Sequence, residues 1–203
     1  MDKVAIISDI HGNIPALESV LTDIEARNIQ KIYCLGDMTG KGPDSARVLD
    51  ICREQCEGVI LGNWDDLIVK GRDVDVILWH RERLDRDHLD YLANLPTTID
   101  LKMSGRHIRL FHASNQSVHH RVFPYKAYKE LVEMFKNTDF TGNGCSEPDV
   151  IGYADIHLSY SLTLFSNHKT IFNTGSVGCP NDEPTASYAI LEGYLNSEEK
   201  GPF

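Results

Sequence analysis

Seven residues of this 203-residue chain have the side chains and the spacing to hold metal ions: Asp9, His11, Asp37, Asn63, His112, Asp155 and His157. They supply carboxylates, imidazoles and one amide, and no thiolate. That donor set suits manganese, iron or zinc in five- or six-coordinate sites rather than a closed structural zinc. There are too many donors for one ion. A carboxylate such as Asp37 can bridge two ions about 3.5–4 Å apart, the spacing used in two-metal hydrolysis. Asp9 and His11 stand two residues apart, as do Asp155 and His157. In extended geometry, residues at this spacing project from one side of the chain. The plain alternative for the first pair is a helix-capping Asp and a surface His.

Each donor follows a short apolar run. Val4-Ala5-Ile6-Ile7 has the pattern of a strand buried on both faces, and it stops in Ser8-Asp9-Ile10-His11-Gly12-Asn13. Ile14, Leu17, Leu21 and Ile24 then recur at helical spacing, with Pro15 in the first turn and Asn28 ending the helix. Lys31-Ile32-Tyr33-Cys34-Leu35 is a second buried run, closed by Gly36-Asp37. A Gly-rich loop, Gly40-Lys41-Gly42-Pro43-Asp44, leads to a helix carrying Val48, Leu49 and Cys52. A third run, Gly58-Val59-Ile60-Leu61, ends in Gly62-Asn63-Trp64-Asp65. This alternation predicts a parallel βαβαβ unit with right-handed crossovers. Sites in open α/β sheets lie at the C-terminal ends of the strands, so Asp9, His11, Asp37 and Asn63 are expected to converge.

Residues 73–95 read as helical, with Leu84, Leu89, Leu92 and Leu95 on the apolar face, Asp85 as a cap and Pro96 as the stop. From residue 97 the pattern turns to β. Residues 97–103 and 107–111 flank a hairpin turn at Ser104-Gly105-Arg106, and the second of them runs into His112-Ala113-Ser114. Residues 115–123 read as a loop holding His119 and His120. Ala127, Leu131, Met134 and Phe135 mark a further helix. Short strands are expected near 149–153, 158–165, 169–173 and 187–192, with Ser166-Asn167-His168 as a turn. With no internal repeat and no low-complexity linker, residues 1–203 are read as one domain.

Hydrophobic residues make up 41% and charged residues 25%, the balance of a globular protein. The formal net charge is −10 without a basic stripe, which argues against a duplex nucleic-acid partner. Small phosphorylated ligands stay compatible, because bound cations supply positive charge locally. No apolar run is long enough for a membrane span, and Val4-Ala5-Ile6-Ile7 is too short for the core of a secretory leader. The five cysteines form no CxxC pair, which suggests reduced thiols and a cytoplasmic setting. Cys52 and Cys56 share a helix face with Val48 and Leu49 and are read as core.

Taken in order, the Asp-x-His-Gly-Asn of residues 9–13, the Gly-Asp of 36–37, the Gly-Asn-x-Asp of 62–65, His112 after a strand and the late pair ending at His157 resemble the calcineurin-like metallophosphoesterase superfamily. The resemblance covers nearly the whole chain. Phe172-Asn173-Thr174-Gly175-Ser176-Val177-Gly178 is similar to the Asn-Pro-Gly-Ser-Val-Gly segment of its small bacterial phosphodiesterase branch. This implies a four-layer α/β/β/α sandwich of two mixed sheets flanked by helices. It also implies hydrolysis of phosphodiester or nucleotide phosphoanhydride bonds by a hydroxide held between two divalent ions. Manganese is the first expectation, with iron, zinc or nickel as alternatives. By motif, one ion takes Asp9, His11, Asp37 and His157. The other takes Asp37, Asn63, His112 and the first position of the family's Gly-His-x-His, where this chain reads Ala154-Asp155-Ile156-His157. Asp155 thus stands where His is usual, and is expected to tighten metal binding and weaken Lewis acidity. A rival alignment sets Gly152-Tyr153 at the Gly-His and leaves Tyr153 as a non-ligand.

Asn13, Asp37, Asn63 and His112 form the catalytic set implied by the resemblance. Asn13, Lys41, Trp64 and Ser114 are the substrate-binding candidates. For Lys41 the alternative is a solvated loop lysine. Trp64 replaces the His that much of the superfamily carries in Gly-Asn-His-Asp/Glu. Its N–H donates a hydrogen bond but transfers no proton at neutral pH. The replacement favours substrates with good leaving groups, such as phosphoanhydrides and aryl or nucleotide phosphodiesters. Stacking on a base is one further expectation for Trp64 and packing beside the third strand is the other. His80, His88, His107 and His168 are read as surface residues. His119 and His120 sit on a loop able to bring a proton donor over the site. The expected partner is a small phosphorylated substrate, nucleotides included, and oligomeric state stays open. Two other readings remain: a phosphomonoesterase or protein phosphatase, and a non-catalytic module like the retromer subunit that shares this fold with a degraded site.

Overall fold

Alternate side chains of strand β1 (Asp2–Ile7) enter two different cores. Ala5 and Ile7 face a layer of helices, whereas Val4 and Ile6 face a second sheet. Strand β2 (Lys31–Cys34) repeats the division, with Ile32 and Cys34 on the helix side and Tyr33 on the sheet side. Burial on both faces is why these runs are continuously apolar. The computed structural model describes residues 1–125, 128–142, 144, 146–164 and 169–203. Ala127, Cys145 and the Ser166-Asn167-His168 turn lie outside the described residues.

The first sheet has the order β3-β2-β1-β9. β1, β2 and β3 (Gly58–Val59) are parallel, and β9 (Ala189–Gly193) joins β1 antiparallel. Helices α1 (Ile14–Ala26) and α2 (Ser45–Gln55) make the expected crossovers. Their buried residues, Leu17, Val20, Ile24, Val48, Leu49 and Cys52, pack on the outer face of the sheet, so Cys52 is core as its spacing predicted. The second sheet has the order β4-β5-β6-β8-β7. β5 (Arg106–Phe111), β6 (Val150–Tyr153) and β8 (Lys169–Thr174) are parallel, and the edge strands β4 (Thr98–Met103) and β7 (Ser159–Leu164) are antiparallel. The β4–β5 hairpin turns on Ser104 and Gly105, both with positive φ, as a two-residue turn between right-twisted strands requires. α6 (Tyr128–Glu133) covers the far face, where Leu131 packs with Phe111, Ile151 and Ile171. The expected α/β/β/α sandwich is therefore the fold.

The third strand is shorter than its apolar run suggests. Gly62-Asn63 leaves it to open a helix, α3 (Asn63–Lys70). Asp65 supplies the reason, because its carboxylate accepts the Gly62 N–H at 3.2 Å and caps the new helix. The single helix expected over 73–95 is two, α4 (Asp75–Arg81) and α5 (Arg86–Ala93). The break falls before Asp85, whose side chain caps α5 by accepting from the His88 N–H. His80 is not a surface residue. It is buried at 2% exposure, with Nδ1 3.4 Å from the Ser45 hydroxyl. No helix among the described residues is long and apolar enough to cross a membrane.

Candidate metal centre

β1, β2, β5 and β6 stop just short of the residues that carry chemistry, and the loops after β1, β2 and β6 turn back in left-handed backbone. Asp9, His11, Asp37, Lys41, Asp155 and His157 all have φ between 50° and 66°. Only three other non-glycine residues among the described ones share that conformation, which is sparsely populated for L side chains. Asp9 and His11 therefore do not project together from an extended strand, as their spacing suggested. The chain coils, dropping Ile10 between them into the core at 0% exposure and returning both polar side chains to one side. Asp155, Ile156 and His157 do the same.

The seven expected donors meet at this edge. His157 Nε2 lies 3.2 Å from Asp9 Oδ1 and 3.3 Å from His11 Nε2. His11 Nε2 lies 3.6 Å from Asp37 Oδ2, and His112 Nε2 lies 3.5 Å from Asp37 Oδ1 and 3.8 Å from Asp155 Oδ1. Asn63 Nδ2 donates to Asp155 Oδ1. Two groups of donor atoms are close enough to share an ion: Asp9, His11 and His157, and Asp9, Asp37 and His112. Asp9 is common to both, where the motif match made Asp37 the bridge.

Each imidazole is oriented from behind by a backbone carbonyl. His11 Nδ1 is 2.9 Å from Thr39 O, His112 Nδ1 is 2.7 Å from Leu35 O, and His157 Nδ1 pairs with Cys179 O. Donation to those carbonyls turns every Nε2 lone pair toward the centre, the arrangement that prepares histidine for a metal. Asp9 is held in turn by the Ser8 hydroxyl, at 2.7 Å from Oδ2. Asp9 Oδ1 and His112 Nε2 are buried without a hydrogen-bond partner. Such atoms cost stability in a dry interior, and a cation satisfies them. The donors thus fit divalent ions in number, chemistry and orientation.

Electrostatics divides the site. Burial, together with nearby Lys41, pushes His11 down to about 3, against the pull of Asp9. His112 moves the other way: burial opposes its charge, but Asp37, Asp9 and Asp155 together raise it to about 9. Burial raises Asp37 well above the usual carboxylate range. For Asp9 burial also acts upward, yet His157, His112 and His11 outweigh it and the carboxyl is lowered.

The substrate-binding candidates separate. Lys41 reaches the centre, with Nζ 3.4 Å from His157 Nε2 and 3.7 Å from the Cys179 sulfur, so it is not merely a solvated lysine. Asn13 is occupied as the N-cap of α1: it accepts from the Ala16 N–H and donates to Gly178 O. Ser114 is buried, bonded to His120 Nδ1 at 3.0 Å and to the Gln116 N–H. Trp64 packs instead of offering a stacking face. Its ring fills the space over Gly40 and meets His11 and His80 edge-on, and only its backbone N–H serves the site, donating to Asp37 Oδ1 at 2.8 Å. Gly62 permits that approach, since a Cβ there would collide with Asp37. His119 is held by Asp66 at 2.6 Å. Tyr153, the rival to Asp155, packs beneath α6 with Leu131 and Ile151 and bonds Val122 O and the Tyr160 hydroxyl.

Two residues escaped the sequence reading. Asp65 accepts from Asp37 N, Thr39 N, Thr39 Oγ1 and Gly62 N, and so ties two donor loops together. It belonged to the Gly-Asn-x-Asp motif, but nothing in the motif says what it binds. Arg121 forks Asp155, with Nε 2.7 Å from Oδ2 and Nη2 2.7 Å from Oδ1. Its position in a long polar loop gave no signal.

A family model described as the calcineurin-like phosphoesterase superfamily domain matches residues 2–194. An uncharacterized protein of Methanocaldococcus jannaschii, MJ0912, is 30% identical over 202 residues, spanning 93% of this chain and 82% of that protein. The crystal structure of a metallophosphoesterase from Sphaerobacter thermophilus is similar at 25% identity and a TM-score of 0.77, over 94% of this chain and 83% of that one. The zinc complex of Vps29 from Entamoeba histolytica shares the fold at 21% identity and a TM-score of 0.56, over 94% and 85% of the two chains.

Proposed function

The chain belongs to the calcineurin-like phosphoesterase superfamily, and we propose that it is a two-metal phosphoesterase cleaving phosphodiester or nucleotide phosphoanhydride bonds. The observation that supports this most is the placement of Asp9 between two donor groups, with its Oδ1 and His112 Nε2 both buried and unpartnered. Asp9, His11 and His157 would hold one ion, and Asp9, Asp37, His112 and the Asn63 carbonyl oxygen the other. Manganese is the first choice for this oxygen- and nitrogen-rich set. Bound there, the ions would supply Lewis acidity and positive charge to a phosphoryl group and to the water that attacks it.

The residues themselves orient and exclude. The carbonyls of Leu35, Thr39 and Cys179 fix the three imidazoles, so little reorganisation is left for the reaction. Lys41 places an ammonium beside His157, where a phosphoryl oxygen can take it. Neither Trp64 nor His119 stands ready to protonate a leaving group. Trp64 has no transferable proton, and His119 is engaged by Asp66. This favours substrates whose leaving group departs as a stable anion. The partner is then a small phosphorylated molecule such as a nucleotide, met in the cytoplasm, and the four described cysteines are free thiols.

The test is hydrolysis of bis(para-nitrophenyl) phosphate, para-nitrophenyl phosphate and ATP with added Mn²⁺, alongside metal analysis of the same sample. Turnover of the diester or of ATP above the monoester is expected. Monoester-only turnover rejects the substrate class, and no turnover with two ions bound points to a binding module.

A further inference from the structure

Asp155 occupies the position of a ligand, yet its bonds are those of an anchor. The oxygen that faces His112, Oδ1, already accepts from Arg121 Nη2 at 2.7 Å and from Asn63 Nδ2. The other oxygen accepts from Arg121 Nε at 2.7 Å. Asp155 also falls outside both groups of donor atoms that could share an ion. By donating its N–H to Asp155, Asn63 is left with its carbonyl oxygen as the atom able to ligate, so Asp155 orients that amide as a second partner orients a metal-bound histidine.

Arg121 is built in with equal care. Its neighbour Val122 is buried at 1% exposure, and Val122 O accepts from the Tyr153 hydroxyl at 3.0 Å. Tyr153 precedes Asp155 by two residues, so the same segment grips the arginine loop twice. His119 and His120 tie the preceding turn to Asp66 and Ser114. The guanidinium spends its Nε edge on the carboxylate. Nη1 and the second Nη2 hydrogen point away from that edge, and among the described residues the side chain bonds Asp155 alone. The side chain is 50% exposed, whereas that of Asp155 is 1% exposed. The result is a fixed guanidinium at the mouth of a centre lined by three carboxylates, with a donor edge turned outward. That edge matches two oxygens of a phosphoryl group.

We propose that Arg121 is a specificity-determining residue that binds the substrate's phosphoryl oxygens, and that Asp155 serves as its anchor and as the orienter of Asn63 instead of as a metal ligand. The proposal rests on the phosphoesterase reading for its substrate, but inorganic phosphate alone suffices to test it.

Phosphate binding to the Mn²⁺-loaded protein is measured by calorimetry for the wild type and for Arg121→Ala, Arg121→Lys and Asp155→Asn, with bound manganese counted in each. A hydrogen-bonded ion pair of this kind corresponds to about 10- to 100-fold in affinity. Arg121→Ala should weaken phosphate by that factor and raise KM for bis(para-nitrophenyl) phosphate in parallel, with kcat much less affected. Arg121→Lys should recover part of the affinity, which a merely structural role would not produce in KM alone. Asp155→Asn should weaken phosphate while keeping the wild-type number of ions. Unchanged phosphate affinity in Arg121→Ala overturns the proposal, as does a wild type that binds no phosphate, or the loss of one ion per chain in Asp155→Asn. If phosphate binding depends on Arg121 but no ester is turned over, the arginine stands and the hydrolase reading falls.

Discussion

Asp9-Ile10-His11 and Asp155-Ile156-His157 are the same tripeptide, used twice at one edge of the molecule. Both place Asp and His in left-handed backbone and bury the isoleucine between them, Ile10 in the helix-side core of the first sheet and Ile156 in the helix-side core of the second. The two histidines meet with Nε2 atoms 3.3 Å apart. The two aspartates diverge. Asp9 keeps one oxygen unpartnered and stands in both donor groups. Asp155 gives that position up to Arg121 and Asn63. The same tripeptide in the same backbone thus carries two aspartates with different partners. The neighbouring Ser8 hydroxyl and the Asp155 N–H both hold Asp9 through Oδ2, at 2.7 and 3.2 Å, and leave Oδ1 unpartnered. A guanidinium claims both oxygens of Asp155.

The largest expected effect separates the two aspartates. Asp9→Asn removes charge from both donor groups, so manganese uptake and turnover should fall by more than about 100-fold, the upper range for loss of a supporting residue alone. Asp155→Asn should cost about tenfold at low substrate and spare metal content. Equal losses in the two variants, read by metal analysis and kcat/KM, would show that the aspartates are equivalent after all.

The histidines extend the contrast to pH. His112 carries a proton up to about pH 9 in the metal-free protein, because Asp37, Asp9 and Asp155 outweigh its burial. It must lose that proton to ligate. Between pH 7 and 9 the affinity of the ion on its side should rise roughly tenfold per unit and then level off. Asp37, raised by burial, changes in the same direction. His11, near 3, is neutral throughout, so the ion it shares with His157 owes no such rise to it. Calorimetry in two buffers of different ionisation enthalpy counts the protons. More protons released with the ion beside His112 and Asp37 than with the ion beside His11 is the expected outcome, and equal release at both would break the division.

Much of this was legible in residue types. The apolar runs at β1, β2 and β5, the helical spacing of α1 and α2 and the polar residues just past the strands located the donors, because burial on both faces leaves a plain pattern. Three things were not legible. The strand spacing of Asp9 and His11 suggested extended backbone, while the buried demand of Ile10 imposed a coil. For Trp64 residue type and motif position left stacking on a base and packing beside the third strand both open, and the choice is made by Gly40, which opens a slot that takes the ring inward. Arg121 lies 34 residues from the carboxylate it forks, and pairing across such a separation leaves no periodicity to read.

Asp65 yields a smaller effect, on stability. Its carboxylate accepts four hydrogen bonds from the loops of Asp37 and Asn63, and it is fully buried. Asp65→Asn turns an amide N–H toward those donors and leaves some unsatisfied, at a cost of about 1–3 kcal/mol. For a chain of this length that lowers Tm by roughly 3–10 °C. Because Asp65 serves Asp37 but contacts neither Asp9 nor Asp155, the contrast between the two tripeptides should survive in this background. Additive losses in Asp65→Asn/Asp155→Asn, measured by thermal unfolding and metal content, are expected.

The smallest effect belongs to Trp64. Only its backbone N–H serves Asp37, at 2.8 Å, and the indole contributes contacts with Gly40, His11 and His80. Trp64→Phe keeps the backbone donor and most of the ring volume, so its cost should stay below about 1.5 kcal/mol in stability. If the substrate meets Arg121 and Lys41 rather than the indole, as proposed, KM for a nucleotide should match KM for a simple aryl diester as closely in the variant as in the wild type. A selective rise in the nucleotide KM would show that the ring stacks on a base. The recognition of substrate would then belong to the Asp9 side of the site as well as to the arginine opposite.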